Sequence, residues 1–162
     1  MSREDEMKVG EFTLCKFNVF CGQNVHKFNE FIRSLNERGN CFVLSGMFTS
    51  LDDLVRKLEK HRVNRYLHEN RNPEILQVIV IKHFMENISR HDFPKILEYL
   101  HNKFPEITFV VWTQNEHAIQ ACAAYYQDDM RLFRLDITGK EVTEYINFKS
   151  ICFAVENNLW LS

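Results

Sequence analysis

The stretch Ile75-Leu76-Gln77-Val78-Ile79-Val80-Ile81 decides the fold class of this chain of 162 residues. It is a short, nearly continuous apolar run rich in β-branched side chains, which is typical of a strand buried on both faces. Pro73, just before it, disfavours helix in the residue that precedes it. Helical patterns stand on both sides of this strand, so the sequence predicts alternating strands and helices around a mainly parallel sheet.

The segments on the amino-terminal side of this strand alternate in type. Apolar residues at helical spacing begin after Ser50, whose hydroxyl can accept a hydrogen bond from the backbone N–H of Asp53, as a helix N-cap does. Apolar, β-branched runs and a second stripe of helical spacing come before it. We therefore predict strands at 11–20 and 41–47 and helices at 25–35 and 51–67.

The carboxyl-terminal half continues this alternation and contains a hairpin. Ser89 is expected to cap a helix. Thr138-Gly139-Lys140 lies between two apolar runs and predicts an antiparallel hairpin. The alternating Ile151, Phe153 and Val155 predict a last strand. The predicted elements are a helix at 89–100, a strand at 107–112, a helix at 116–126, strands at 131–137 and 142–148, and a strand at 151–155.

The sequence leaves the order of the strands open. Segments 26–35 and 91–100 share the spacing His-x-Phe-x-x-apolar-apolar-x-x-Leu, and each precedes an apolar strand. Amphipathic helices that precede strands often share such spacing, which suits a doubly wound sheet. Alternatively, the match indicates an irregular leucine-rich-like solenoid, in which each unit stacks on its neighbours. The predicted fold is thus α/β, with a mainly parallel sheet that is either doubly wound or open and leucine-rich-like, and a C-terminal antiparallel hairpin.

Length and composition fit a single α/β domain over residues 1–162. Fourteen Phe against five Gly and three Pro favour bulky side chains between layers over a sandwich with many tight turns. A net charge of −2 lacks the strongly basic footprint of a nucleic-acid-binding domain, and no apolar run reaches the ~18 residues of a membrane span. Five scattered cysteines without Cys-x-x-Cys spacing favour a reducing compartment, cytoplasmic or nuclear.

Side chains that could support catalysis or bind a metal are dispersed. His61 and His68 lie seven residues apart on one predicted helix, whereas metal-binding pairs usually lie four apart, so we interpret both as solvated. Cys122 lies among alanines and is expected to pack its helix rather than act with His117 as a nucleophile. No loop after a strand is a glycine-rich phosphate cradle. We predict no catalytic residue, metal site or cofactor; a small Rossmann-like enzyme with an unrecognised site in those loops is an alternative.

The main charge cluster lies on the predicted helix at 51–67. Such a cluster could contact an acidic patch on a protein or follow an RNA backbone, although a solvated helix face is the simpler interpretation. We predict a non-enzymatic protein-interaction module, with an RNA-binding domain as the alternative. The apolar end at 157–161 either packs onto the sheet or contacts the partner. The predicted contact residues, of types that interfaces favour, are Arg56, Lys60, Arg65, Tyr66 and Trp160.

Three segments resemble the F-box-associated domain that is abundant in nematodes: Ser50-Leu51-Asp52-Asp53-Leu54, Asn64-Arg65-Tyr66-Leu67, and the stretch 72–81 that begins with Asn-Pro. The stretch Phe133-Arg134-Leu135-Asp136-Ile137 is similar to that family's C-terminal strand. The N-terminus shows no F-box helices, and segment 89–127 is longer than in the family. The resemblance implies a leucine-rich-like recognition domain that binds protein and has no catalytic activity.

Overall fold

The computed structural model describes residues 7–9, 12–37, 41–70, 77–138 and 142–160, and only the backbone of residues 7–9. The strands in these ranges are β1 (Met7–Val9), β2 (Phe12–Leu14), β3 (Phe17–Gly22), β4 (Cys41–Leu44), β5 (Val78–Ile81), β6 (Thr108–Trp112), β7 (Met130–Leu135) and β8 (Val142–Tyr145). The helices are α1 (Val25–Glu37), α2 (Leu51–Lys60), α3 (Val63–Glu69), α4 (Phe93–Lys103), α5 (Glu116–Tyr126) and α6 (Phe148–Glu156). Among these helices, none has the length and apolar character needed to cross a membrane.

Six strands form one sheet in the order β4-β5-β6-β3-β7-β8. Every neighbouring pair is parallel except β7 and β8, which form an antiparallel hairpin. Strands β1 and β2 pair separately as a small antiparallel sheet. The predicted α/β class, the mainly parallel sheet and the C-terminal hairpin are confirmed, while the predicted turn of that hairpin falls partly on residues 139–141, outside the described ranges.

The first strand of the large sheet, β3, lies in its middle. The chain leaves β3 for the edge strand β4, returns through β5 and β6, and then passes over β3 to reach β7 on its other side. A solenoid would instead place its strands side by side in chain order. The observed order is therefore that of a doubly wound sheet, the first of the two arrangements that the sequence left open.

Successive side chains of the central strands point to opposite layers. In β5, Val78 and Val80 belong to the apolar cluster that contains α1, whereas Ile79 and Ile81 belong to the cluster formed with α2 to α6. All four side chains are buried, so β5 is covered on both faces as its sequence predicts. The preceding residues 71–76 lie outside the described ranges.

Phenylalanine rings fill the layer between α1 and the sheet. Phe12 meets Phe20, Phe31 and Phe133 edge-on, with ring centroids 5.3, 4.8 and 5.3 Å away. Phe20 and Phe133 stack at 4.6 Å, on adjacent strands. Each fully buried Phe contributes about 1.5–3 kcal/mol of hydrophobic stabilisation, so the high Phe content serves the core between the layers, as expected from the composition.

The predicted strand at 11–20 is wrong as a single element. The structure divides it into β2 and β3, with a break at Cys15 and Lys16. The buried side chain of Asn18 holds this break, because its Oδ1 accepts from the backbone N–H of Cys15 at 2.9 Å and its Nδ2 donates to the Cys15 carbonyl at 2.8 Å. The Lys16 ammonium donates to three carbonyls of the loop before β6, including that of Ile107 at 2.6 Å.

The predicted helix at 51–67 is likewise two helices. Ser50 caps α2 as expected, since its Oγ accepts from the backbone N–H of Asp53 at 3.1 Å. Helix α2 ends at Lys60 with His61 as its C-cap, and Arg62 adopts a left-handed backbone conformation with φ of 53° before α3 begins. His61 and His68 therefore do not lie on one continuous helix. Ser89 makes no side-chain cap, and α4 begins four residues later.

The predicted strand at 151–155 is also wrong, because this segment lies within helix α6. Asn147 starts the helix with a capping box, in which its side chain accepts from the Ser150 backbone N–H at 2.8 Å and Ser150 Oγ accepts in return. Ile151 and Val155, four residues apart, are buried on one face, while Phe153 is 59% exposed. The alternation that suggested a strand thus mixes buried and exposed positions of a helix.

Candidate functional site

The carboxyl ends of β3 and β6 meet where the strand order reverses, the place at which open α/β sheets usually bind ligands. The side chain of Gln114, just after β6, bridges this point. Its Nε2 donates to the carbonyl of Gly22 at the end of β3, and its Oε1 accepts from the Gly22 N–H at 3.4 Å. The next two backbone N–H groups, of Gln23 and Asn24, both donate to the Leu135 carbonyl, at 2.9 and 3.3 Å. The N–H groups that would hold a phosphate in a nucleotide-binding loop thus already have acceptors within the protein.

The helix that follows β6 has an occupied N-terminus as well. Asn115 caps α5, with Oδ1 accepting from the backbone N–H groups of His117 at 3.0 Å and Ala118 at 3.4 Å. Its Nδ2 donates to the carbonyl of Met85 at 3.2 Å, and Met85 has a φ of 63°. This hydrogen bond links the loop after β5 to the loop after β6 and stabilises the left-handed backbone conformation of Met85.

An open depression of about 480 Å³ lies beside these loops and is lined by Glu86, Gln114, Asn115, Glu116, His117 and Trp160. Two of its polar side chains, Gln114 and Asn115, are engaged with main-chain groups as described above. The Glu86 carboxylate lies 3.1 Å from His83 Nδ1, which is within hydrogen-bond distance. Cys122 lies on the same helix as His117 but is fully buried, and burial raises the pKa of its thiol. Cys122 therefore packs α5 against the sheet, as the sequence suggested, and does not supply a thiolate to the depression.

Trp160 packs into the protein rather than projecting from it. The side chain is 3% exposed and belongs to the apolar cluster on the α5 side of the sheet. The buried thiol of Cys21 donates a hydrogen bond to the Trp160 carbonyl, with 3.6 Å between sulfur and oxygen. Of the predicted apolar end at 157–161, Trp160 is thus packed and Leu159 is 37% exposed, while Leu161 lies outside the described residues.

Three of the predicted contact residues are exposed cations. Arg56 and Lys60 lie four residues apart on α2 and so share one face of that helix. Neither forms a hydrogen bond or ion pair within the described part of the chain. Arg65 lies on the separate helix α3, where its Nε donates to Glu69 at 2.8 Å. The structure therefore brings Arg56 and Lys60 together and leaves Arg65 on a different element with its own partner.

Lys57, which also lies on α2, differs from Arg56 and Lys60 because it forms an ion pair within the chain. Lys57 donates to both carboxylate oxygens of Asp53, at 3.0 and 2.8 Å. This hydrogen bond, followed by that from the Thr49 backbone N–H, holds the pKa of Asp53 below its ordinary value. Lys57 thus forms an ion pair within the chain. The charge of Arg56 also lowers the pKa of Asp53, but Arg56 forms no hydrogen bond with it.

Tyr66 is half-buried and has a structural contact. Its hydroxyl donates to the carbonyl of Cys41 at 3.1 Å, which caps a main-chain group of the edge strand β4. Its ring packs at 5.8 Å from that of Phe42. Burial, with a smaller effect of Cys41, raises the pKa of Tyr66 above its ordinary value. Covering an edge strand in this way limits its pairing with other chains, a role that the sequence did not reveal.

Comparison with known proteins gives little further information. No family model and no curated protein matches the chain. A chain in the solved structure "Structure of Drosophila ORC bound to poly(dA/dT) DNA and Cdc6 (conformation 1)" is similar with 12% identity and a TM-score of 0.46. The match covers 75% of this chain and 25% of that one. A likeness at this level indicates nothing about function, and the resemblance to the F-box-associated domain stays a prediction.

The sequence did not single out a second exposed surface, a depression of about 470 Å³ between the start of α2 and the outer side of α4. It is lined by Leu51, Lys95, Glu98, Tyr99, Asn102 and Lys103. Lys95, Tyr99 and Lys103 recur every four residues, which places them in one row along α4. That spacing is visible in the sequence, but it stands next to the stronger apolar stripe of the same helix.

Proposed function

We propose that this chain is a non-catalytic protein-interaction module that binds an acidic surface of a partner through the outer face of α2. The observation that carries the proposal is the pair Arg56 and Lys60, exposed on one face and without an ion pair in the described residues. A partner's carboxylates can approach these two side chains without displacing an internal salt bridge. Arg and Tyr are favoured at interfaces, whereas a surface cation already paired within its own chain contributes less.

The hydrogen bonds that fill the crevice at the carboxyl ends of β3 and β6 support a binding function over catalysis. The alternative of a Rossmann-like enzyme requires a ligand in the crevice after β3 and β6. In this protein Gln114 occupies that crevice and the loop N–H groups donate to Leu135. A nucleotide would have to displace these contacts, so the alternative has weaker support than an interaction surface on the helices.

The surroundings of Tyr66 favour a protein partner over RNA. Stacking on an exposed aromatic ring is the usual means of holding a single-stranded base. The Tyr66 ring packs at 5.8 Å from Phe42, and its hydroxyl donates to Cys41, so the ring is committed to the fold. All five cysteines have free thiols, in keeping with a proposed location in a reducing compartment, the cytoplasm or the nucleus.

The proposal is tested by affinity capture from lysate of the source organism with the full chain and the variant Arg56→Glu/Lys60→Glu. A matched control, Arg90→Glu/Lys149→Glu, makes the same change in charge at exposed positions on other elements. We expect proteins that the wild-type chain and the control retain but the α2 variant loses, and we expect direct binding once one of them is purified. Retention of the same proteins by the α2 variant would contradict the proposal, and RNA that is recovered only at low salt would support the RNA-binding alternative.

A further inference from the structure

The depression between α2 and α4 has an excess of hydrogen-bond donors. Lys95 and Lys103 are both exposed, and neither forms an ion pair within the described ranges. The Tyr99 hydroxyl and the Asn102 carboxamide also lack hydrogen-bond partners there, although Tyr99 is half-buried. Two ammonium groups, a phenol and an amide therefore line one side of a concave surface whose other side is apolar, at Leu51.

The spacing of the two lysines sets a length. Lys95 and Lys103 are eight residues apart on α4, which separates them by about 12 Å along the helix axis at 1.5 Å per residue. In an extended peptide, residues four apart are separated by about 13 Å at 3.3 Å per residue, and they point to the same side. The residue midway between them points to that side too, so it would face Tyr99 and Leu51.

We propose that this depression docks an extended acidic peptide segment of a partner protein, with two carboxylates four residues apart at Lys95 and Lys103 and an apolar side chain between them. The proposal rests on the proposed function, because it assumes that the partner is a protein, and it deepens that function by giving the chemistry of the docked segment. The volume of about 470 Å³ lies within the ~300–1,000 Å³ that is usual for ligand sites. The lining has two ammonium groups against the one carboxylate of Glu98, and this excess of positive charge favours an acidic segment over an apolar one.

Two carboxylates oppose this docking and so provide a test of it. Glu98 lines the depression itself, and Glu59 of α2 lies close enough to Tyr99 to act on its hydroxyl electrostatically. A docked acidic segment would experience repulsion from both. Replacing Glu98 with Gln removes one of these charges while keeping the size of the side chain, so it should tighten binding of an acidic peptide.

The experiment titrates the full, isotope-labelled chain with the synthetic peptide Gly-Ser-Glu-Ser-Leu-Ser-Glu-Ser-Gly at low ionic strength and follows the backbone amide signals by NMR. We expect saturable shifts at the amides of Tyr99 and Asn102. In Lys95→Gln/Lys103→Gln the dissociation constant should rise about two- to thirtyfold, since each exposed ion pair contributes ~0.2–1 kcal/mol. Glu98→Gln should lower it. The control Arg90→Gln/Lys149→Gln should leave it unchanged, and the amide spectrum of each variant reports whether it is folded.

Several results would overturn the inference: no saturable shift at millimolar peptide, equal binding of the peptide with Gln in place of Glu, or equal binding by Lys95→Gln/Lys103→Gln. Peptides with the two Glu three or six residues apart should bind more weakly than the peptide with a spacing of four. The two proposals can fail separately. If Arg56→Glu/Lys60→Glu loses a captured protein but the peptide does not bind at α4, the proposed function is supported and the docking of a peptide in the depression is refuted. Peptide binding at α4 with no protein dependent on α2 refutes the α2 surface instead.

Discussion

Replacement of Gly22 by Ala should destabilise the fold at the point where β3 leaves the sheet. Gly22 has a φ of 112°, which L-residues rarely adopt, and strain of that kind costs about 1–3 kcal/mol. A Cβ atom there would overlap the carbonyl oxygen of Leu135 and lie 2.8 Å from its nitrogen and 3.0 Å from its carbonyl carbon. These are backbone atoms of the adjacent strand β7, so a flexible side chain cannot relieve the overlap. Moving two strands apart adds ~1–3 kcal/mol.

We therefore expect Gly22→Ala to lower the free energy of unfolding by about 3 kcal/mol or more, and Tm by roughly 6–12 °C. The measurement is chemical unfolding followed by far-UV circular dichroism, together with a thermal scan. Gly46→Ala is the matched control, because a Cβ at Gly46 meets only the Lys57 Cε atom, at 3.9 Å. That control should change stability by no more than about 1 kcal/mol. Equal stability of the two variants would refute the inferred close approach of β3 and β7.

Three further predictions concern a half-buried hydroxyl, a buried carboxamide and a buried thiol. Tyr66→Phe should cost about 1 kcal/mol in urea unfolding, because it removes the hydroxyl that donates to Cys41, and an unchanged free energy would count against this edge cap. Asn18→Ala should cost about 2–4 kcal/mol by the same assay, since it removes the two hydrogen bonds to Cys15 and the one to the Phe109 carbonyl; a cost below 1 kcal/mol would contradict that role. Burial raises the pKa of Cys21 from 9.0 to about 12, so the unfolded state loses its proton first and stability falls as the pH rises above about 9. Cys21→Ala should remove about 1 kcal/mol of the loss between pH 8 and pH 10, and an unaltered pH dependence would contradict the assignment.

The strands that are buried on both faces could be predicted from the sequence because burial leaves a simple mark. A central parallel strand must be apolar at every position, and β5 and β6 have that composition. The order of those strands leaves no such mark. An amphipathic helix can cover either face of the sheet. Helices α1 and α4 therefore share the same apolar spacing although they lie on opposite faces of the sheet. Their similarity suggested a solenoid for this reason.

The errors at the ends of elements have a different cause, which is that local hydrogen bonds override periodicity. Alternating Ile151, Phe153 and Val155 fit a strand as well as a helix over five residues. The capping box of Asn147 and Ser150 decides for the helix, and Asn and Ser are also common in turns. In the same way, a polar side chain inside an apolar run, Asn18, ends one strand and anchors the next.

The candidate surface was only partly visible in the sequence, because a list of charged residues does not show which of them are paired. The sequence alone does not distinguish paired from unpaired cations among Arg56, Lys57, Lys60 and Arg65. In the folded chain, Lys57 pairs with Asp53 and Arg65 pairs with Glu69, while Arg56 and Lys60 form no ion pair among the described residues. An i,i+4 acidic residue before a lysine predicts the first of these pairs and could have narrowed the set.

The hydrogen bonds at the carboxyl ends of β3 and β6 and the exposed cations of the helices both support the proposed binding surfaces. A ligand in the crevice after β3 must displace four internal donors: the N–H groups of Gly22, Gln23 and Asn24, and the Gln114 carboxamide. Each hydrogen bond contributes about 0.5–1.5 kcal/mol net, so entry at that point costs several kcal/mol before any gain. A ligand on α2 or α4 breaks no hydrogen bond or ion pair that Arg56, Lys60, Lys95 and Lys103 form among the described residues. Because association already carries a large entropic cost, we propose the outer faces of α2 and α4, rather than the crevice, as the binding surfaces.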